Sequence, residues 1–330
     1  MVRRSRTREA GAMNADHSTM RAISQDNHGG PEVLQEVRVP TPSPGPGEIL
    51  VSVRAAGVNP TDWKHRAAAG FVNRLPLVLG WDVSGVVESV GYGVTIHQPG
   101  DEVLGMLPYP HGAGSHAEFV TGPARAFARK PAGVDHVQAG ALPLAALTAH
   151  QALVDTAGLR SGQRVLVHAA AGGVGHLAVQ IAKAHGAYVV GTASTPKHGF
   201  LRELGADEVI DYREVDFAEA TSDIDVVLDP LAGDVAERSL KVMRSGGTLV
   251  SLLPLPGEVV ERAAQRDIRA VSMLVEDDHA GMEAIAELVA EGALKAHVEA
   301  TFPLSEAAKA HSLGETGRTT GKIVLVMEDN

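Results

Sequence analysis

Short apolar runs bounded by glycine and proline alternate with helical periodicity along much of this chain. Residues 164–169 (RVLVHA) are short, apolar and β-branched, so they predict a buried strand. The glycine turn Gly172-Gly173-Val174-Gly175 follows. Val174, Leu177, Ala178, Ile181 and Ala182 then recur at helical spacing and form one apolar face. Strand, glycine turn and helix in that order predict a dinucleotide-binding turn. Ala170 takes the first place of the G-x-G-x-x-G frame, Gly172 the second and Gly175 the third. Gly172 would let backbone approach a pyrophosphate. Gly175 would let the helix pack against its strand, and the helix N-terminus would meet the phosphates through Gly173 and Val174.

The same pattern divides the rest of the chain. Residues 33–39 alternate apolar and polar, residues 49–53 and 103–106 are apolar, and residues 77–90 read as two strand-like runs broken at Gly80. Residues 57–62 (GVNPTD) predict a turn before a short helix carrying Trp63, Lys64 and Arg66, and residues 109–114 a mobile loop. This first part reads as a small, all-β, barrel-like domain. Residues 141–157 look helical. Six strands then alternate with helices, at residues 164–169, 188–193, 208–212, 225–229, 248–253 and 269–275, predicting a doubly wound parallel sheet. Residues 254–265 are taken as a loop. Residues 281–291 predict a helix, and residues 298–302 and 322–327 predict strands. Between the last two, a helix over 305–312 opens with a Ser305 cap. This β-like tail is expected to rejoin the first domain. The α/β fold is thus divided into a tail (1–19), a barrel (20–140), a nucleotide-binding domain (141–280) and a return segment (281–330).

Composition narrows the function. The absence of cysteine among the 330 residues excludes disulfides and thiolate metal sites, and a net charge of −11 argues against a nucleic-acid surface. No apolar run approaches the roughly 18 residues of a membrane span. Residues 1–19 carry four arginines but no apolar core of a signal peptide, so a disordered tail and a cytoplasmic protein are expected.

The second strand of a NAD-binding sheet ends on a carboxylate about 20 residues after the first glycine position. Here residues 190–194 read VGTAS, and Ser194, Lys197 and Tyr212 stand in that region instead. Hydroxyls and an ammonium would hold a 2′-phosphate, which favours NADPH. The alternative is that Ser194 only caps the next helix and Lys197 is solvated.

With GVNPTD, LGWDVSGVV, AAAGGVG and TGKIVLV in place, the chain resembles the medium-chain dehydrogenase/reductase superfamily over residues 20–330. Within it, the chain resembles the zinc-free quinone oxidoreductase branch. The resemblance implies a six-stranded Rossmann sheet, a discontinuous GroES-like barrel and a homodimer. It also implies hydride transfer from NADPH to a quinone or an α,β-unsaturated carbonyl. Zinc-dependent members carry Cys and a His-Glu pair where this chain has Asn59 and Trp81-Asp82, so no zinc is expected. His111 and His116 read as polar loop surface.

The catalytic candidates are Asn59 in the old metal-ligand slot, Lys64 facing the pocket, and Tyr109 as a proton donor. Trp63 and Trp81 would line the substrate pocket. The resemblance puts Thr148 near the nicotinamide ribose. Asp229, Leu252 and Leu253 end two strands on the cofactor side. Arg318 and Lys322 either reach the phosphates or are solvated. Three alternatives stay open: a pathway-dedicated enoyl reductase, a non-catalytic NADPH-binding sensor, and a non-redox enzyme on the same fold.

Overall fold

The computed structural model describes residues 18–328, and the expectations for residues 1–17 lie outside it. The strands Glu208–Ile210, Tyr188–Thr192, Arg164–Val167, Ile224–Asp229, Met243–Ser251 and Arg269–Ser272 lie side by side in that order, all parallel. Side chains alternate across this sheet. Val165 and Val167 join one core cluster, while Leu166 joins a second on the opposite face with Leu240, Val259 and Ala263. Helices cover both faces, as a doubly wound sheet requires.

The barrel-like part is a seven-stranded sheet. Along its main path it runs Val298–Pro303, Lys322–Val326, Glu48–Val58, Asp82–Val90, Glu102–Met106 and Phe127–Arg129, and Phe119–Pro123 also pairs with Glu48–Val58. The tail strand Lys322–Val326 lies antiparallel to Glu48–Val58, with Val324 opposite Gly57. The tail therefore rejoins the first part of the chain. A separate three-stranded sheet holds Thr19–Gln25 between Gln35–Pro40 and Leu77–Val78. Helix Pro143–His150 is buried at every residue, and the large core cluster runs through it from Ile49 and Phe127 to Val165 and Ile181. A helix that is apolar on every side except for Thr148 and His150 belongs inside a fold. It continues into a π-helical segment, Gln151–Thr156.

Three sequence expectations change. Residues 257–265 form the helix Gly257–Gln265, whose only buried residues are Val259 and Ala263, so its apolar face is too thin to announce itself. The tail helix is Ala307–Glu315, preceded by a 3₁₀ turn, with no side-chain cap from Ser305. The strand Glu208–Ile210 stops before Tyr212, which stands on the following turn. Strand Phe127–Arg129 and helix His136–Gly140 were not anticipated.

Four histidines, His116, His168, His176 and His311, are almost wholly buried. His116 is thus a core residue and not loop surface. Burial pushes these rings down, to about 4 for His116, about 3 for His168 and about 4 for His176, and lowers His311 as well. Burial pushes the Asp62 carboxyl the other way, to about 7. Below the ordinary histidine value of about 6.5, the unfolded chain takes up protons that the folded rings refuse, so stability falls as pH falls. Asp62 acts in the opposite sense, because the folded chain keeps a proton that the unfolded chain has lost. Smaller upward shifts at Asp229 and Asp277 are countered by downward ones at Glu102, Asp207 and Asp211. Four rings outweigh one carboxyl. The urea midpoint should fall steadily as pH drops from about 6.5 to about 4.5. A flat or rising midpoint over that range would contradict the histidine account.

Candidate active site

Strand Arg164–Val167 ends at a tight turn, and helix Gly175–Ala184 starts behind it. A Cβ at Gly175 would stand 2.4 Å from the Ala169 carbonyl oxygen and 2.7 Å from Ala170 Cα, so only glycine fits where the helix meets its strand. Ala170 is fully buried beneath the turn, and its amide donates to the Thr192 carbonyl at 3.0 Å. Gly172 opens onto a cleft of about 340 Å³. Gly173 and Val174 lead from it into the helix. His176 ties this turn down: its Nδ1 is 2.8 Å from the Gly172 carbonyl, and its Nε2 accepts the His297 amide at 3.1 Å. It is a packed residue that braces the turn.

Ser194, Lys197 and Tyr212 line the same cleft, with Ala171, His168 and Leu231. The sequence reading thus brought three separated residues to one place. Lys197 Nζ donates to the carbonyls of Arg318 and Thr319 at 2.9 and 3.2 Å, so the tail folds over the cleft mouth. Burial lowers the Lys197 pKa, with opposing effects from Glu299 and Arg213. Arg213 stands over the Tyr212 ring, 5.6 Å from its centre, and adds a cation the sequence reading missed. The nearby carboxylate, Asp211, is spent on the Thr195 amide and hydroxyl and the Arg213 amide. His168 sits between two hydroxyls, 3.2 Å from Thr192 and 2.9 Å from Ser239.

The remaining cofactor candidates, Thr148, Asp229, Leu252 and Leu253, do not line this cleft. Thr148 is buried, and its hydroxyl donates to the Leu144 carbonyl at 2.6 Å. Asp229 is fully buried and accepts the amides of Leu231 and Ala232, which makes it a turn cap at the strand end. The Leu252 amide donates to the Asp229 carbonyl, and Leu252 and Leu253 are half-buried beyond it.

The catalytic candidates separate. Asn59 caps helix Pro60–Ala67, but its amide group is taken: Nδ2 donates to Asp82 at 2.8 Å, and Oδ1 accepts the Lys322 ammonium. It is therefore not a free donor for a substrate, because a buried ion pair needs that amide. Lys322 also pairs with Asp82 at 3.2 Å, and Asp82 accepts the Leu144 amide at 2.6 Å. A Cβ on Gly173 would lie 3.4 Å from Lys322 Cδ, so Lys322 is buried beneath the turn and not solvated. Arg318 is exposed. Lys64 is exposed too, and its neighbour His65 is the buried one. Trp63 packs against Gly314 on the tail helix, away from Trp81. Trp81 is fully buried and meets Tyr109 edge-on at 5.3 Å. The Tyr109 hydroxyl is 3.1 Å from Thr61 Oγ1. Burial and the nearby Asp62 raise the Tyr109 pKa, while the Thr61 bond lowers it, so the phenol stays protonated at neutral pH.

Zinc-binding members of this fold would place a metal at these positions. The residues do not fit one: Asn59 and Asp82 are engaged by an ammonium, and Trp81 is an indole. The glycine turn, the cleft and its cations do fit a dinucleotide.

Residues 45–132 match the alcohol dehydrogenase GroES-like domain family, and residues 204–325 match the zinc-binding dehydrogenase family. The chain is 34% identical over 326 residues to a chloroplastic quinone-oxidoreductase of Triphysaria versicolor, covering 93% of this chain and 98% of that one. It is 35% identical over 320 residues to the 2-methylene-furan-3-one reductase of Solanum lycopersicum, covering 93% and 79%. The quinone oxidoreductase of Escherichia coli, solved in complex with NADPH, superposes with a TM-score of 0.84 at 30% identity, covering 93% and 99%. The GroES-like barrel, the six-stranded Rossmann sheet and this likeness along nearly the whole length make the chain a member of the medium-chain dehydrogenase/reductase superfamily of oxidoreductases, in its quinone oxidoreductase branch.

Proposed function

We propose that this oxidoreductase uses NADPH to reduce quinones or α,β-unsaturated carbonyl compounds, without zinc, as a cytoplasmic homodimer. The observation that carries this reading is the cleft where Gly172, Ser194, Lys197 and Tyr212 converge while Asp211 is turned into its own backbone. A 2′-phosphate there would meet an ammonium and two hydroxyls, with Arg213 close by. When bound, NADPH would supply a hydride. The chain's own residues do the rest. The turn of Gly172, Gly173 and Gly175 would seat the pyrophosphate. Tyr109 presents a flat wall suited to a conjugated acceptor, with the fully buried Trp81 packed edge-on behind it and not itself lining the pocket. The Tyr109 phenol, kept protonated, would give a proton to the reduced carbonyl compound. Asn59 and Lys322 hold the turn to the barrel. The dimer is supported by the outer edge of Arg269–Ser272, the last strand of the six-stranded sheet.

The test is NADPH oxidation against a panel of small quinones and cyclic enones, with NADH in parallel. Turnover that prefers NADPH is expected. Binding of NADPH with no acceptor turned over would overturn the reductase reading, and equal use of NADH would overturn the phosphate site.

A further inference from the structure

A carbonyl reduction of this kind consumes one proton per turnover. Behind Tyr109 lies a file of groups that no cofactor or core argument uses. The Tyr109 hydroxyl is 3.1 Å from Thr61 Oγ1, which is 3.0 Å from His65 Nδ1. The same Nδ1 is 2.8 Å from the Thr61 carbonyl oxygen. A carbonyl only accepts, so Nδ1 carries the hydrogen and donates toward Thr61. The Thr61 hydroxyl hydrogen is then free to point at Tyr109, and the phenol hydrogen is free to point at a substrate. One carbonyl thus orients the whole file toward the pocket. The His65 ring is held between Trp81 at 5.4 Å and the exposed Phe71 at 6.2 Å. Its Nε2 is buried with no hydrogen-bond partner. This nitrogen lies under the exposed residue Gly70, where a Cβ would stand 2.9 Å from it. With glycine there, no side chain stands between this buried ring nitrogen and the exposed backbone of residue 70.

We propose that His65 and Thr61 resupply the Tyr109 proton from solvent, entering at His65 Nε2 beneath Gly70. This rests on the reductase reading above, and both are positioning residues acting through Tyr109. Once hydride has closed the new C–H bond at the β-carbon of an enone, with the dinucleotide left oxidised, the π electrons move to the α-carbon. That carbon takes the Tyr109 proton. The Tyr109 oxygen takes the Thr61 proton, the Thr61 oxygen takes the Nδ1 proton, and Nε2 takes one from solvent. The sum is one NADPH, one enone and one solvent proton giving NADP⁺ and the saturated ketone. The ring regains its Nδ1 hydrogen by exchange with water between turnovers.

The experiment compares wild type, His65→Gln and Gly70→Ala on a cyclic enone in H₂O and D₂O. His65→Gln should lower kcat by about tenfold or more and raise the solvent isotope effect, with KM for NADPH within about twofold of wild type. Gly70→Ala keeps every relay residue and presses a methyl group onto Nε2, so it should raise the isotope effect and lower kcat by about threefold. Independently of activity, ¹⁵N NMR of histidine-labelled protein without dinucleotide should show His65 as the Nδ1–H tautomer. Wild-type turnover with unchanged kcat and isotope effect in both variants, or an Nε2–H tautomer, would overturn the relay alone. No turnover by wild type would overturn the reductase reading and the relay with it.

Discussion

Lys322→Met should destabilise the protein by about 3–5 kcal/mol in urea unfolding, the range seen when one partner of a buried ion pair is removed. Lys322 and Asp82 are both almost wholly buried, and their contact spans 240 positions of sequence. Methionine matches the length of the lysine stem, so packing changes little and the lost charge accounts for the effect. Asp82 would keep the Leu144 amide and Asn59 Nδ2 but lose its countercharge. Leu144 belongs to the fully buried helix between the sheets, so the loss should appear in global unfolding. Lys64→Met, on an exposed side chain, should stay within about 0.5 kcal/mol. A loss below about 1 kcal/mol for Lys322→Met would mean that the pair does not hold the barrel to the glycine turn.

Lys197→Glu should weaken NADPH binding by about a hundredfold and leave NADH within about threefold. A hydrogen bond to a charged group is worth about 1.5–3 kcal/mol, and each 1.4 kcal/mol is tenfold in affinity. The new carboxylate would also repel the phosphate, while Ser194, Tyr212 and Arg213 would remain. Lys197 bonds to carbonyls of the tail at Arg318 and Thr319, so some ordering of that segment would be lost for both dinucleotides. Titration calorimetry with each dinucleotide separates the two effects. Equal loss for NADPH and NADH would assign Lys197 to the tail and not to a phosphate.

Much of the fold was legible because its signals are local. All six strands of the parallel sheet were anticipated, since each is a short apolar run closed by a turn. The strand, glycine turn and helix were legible as local structure because Gly175 must pack against residues five and six positions before it. Helix Gly257–Gln265 was missed because two buried residues make too weak a stripe. Helix Pro60–Ala67 was anticipated, yet the wrong side chain was chosen on it. Asp62, His65 and Arg66 are buried at helical spacing, but all three are polar, so no hydrophobic pattern marks their face.

The sequence by itself determined the strand, glycine turn and helix and the clustering of Ser194, Lys197 and Tyr212 beside them. Those residues end neighbouring parallel strands or stand just beyond them, and the topology follows from the alternation of strands and helices. Only the tertiary structure decided that the Asn59 amide serves Lys322 and Asp82, that Lys322 is buried, and that His65 backs Tyr109 through Thr61. Each of those outcomes depends on a partner 23 to 263 positions away or on which face of a polar helix turns inward. Ion pairing and burial across such distances leave no periodicity in the chain, because a charged residue is written the same way whether water or a countercharge receives it.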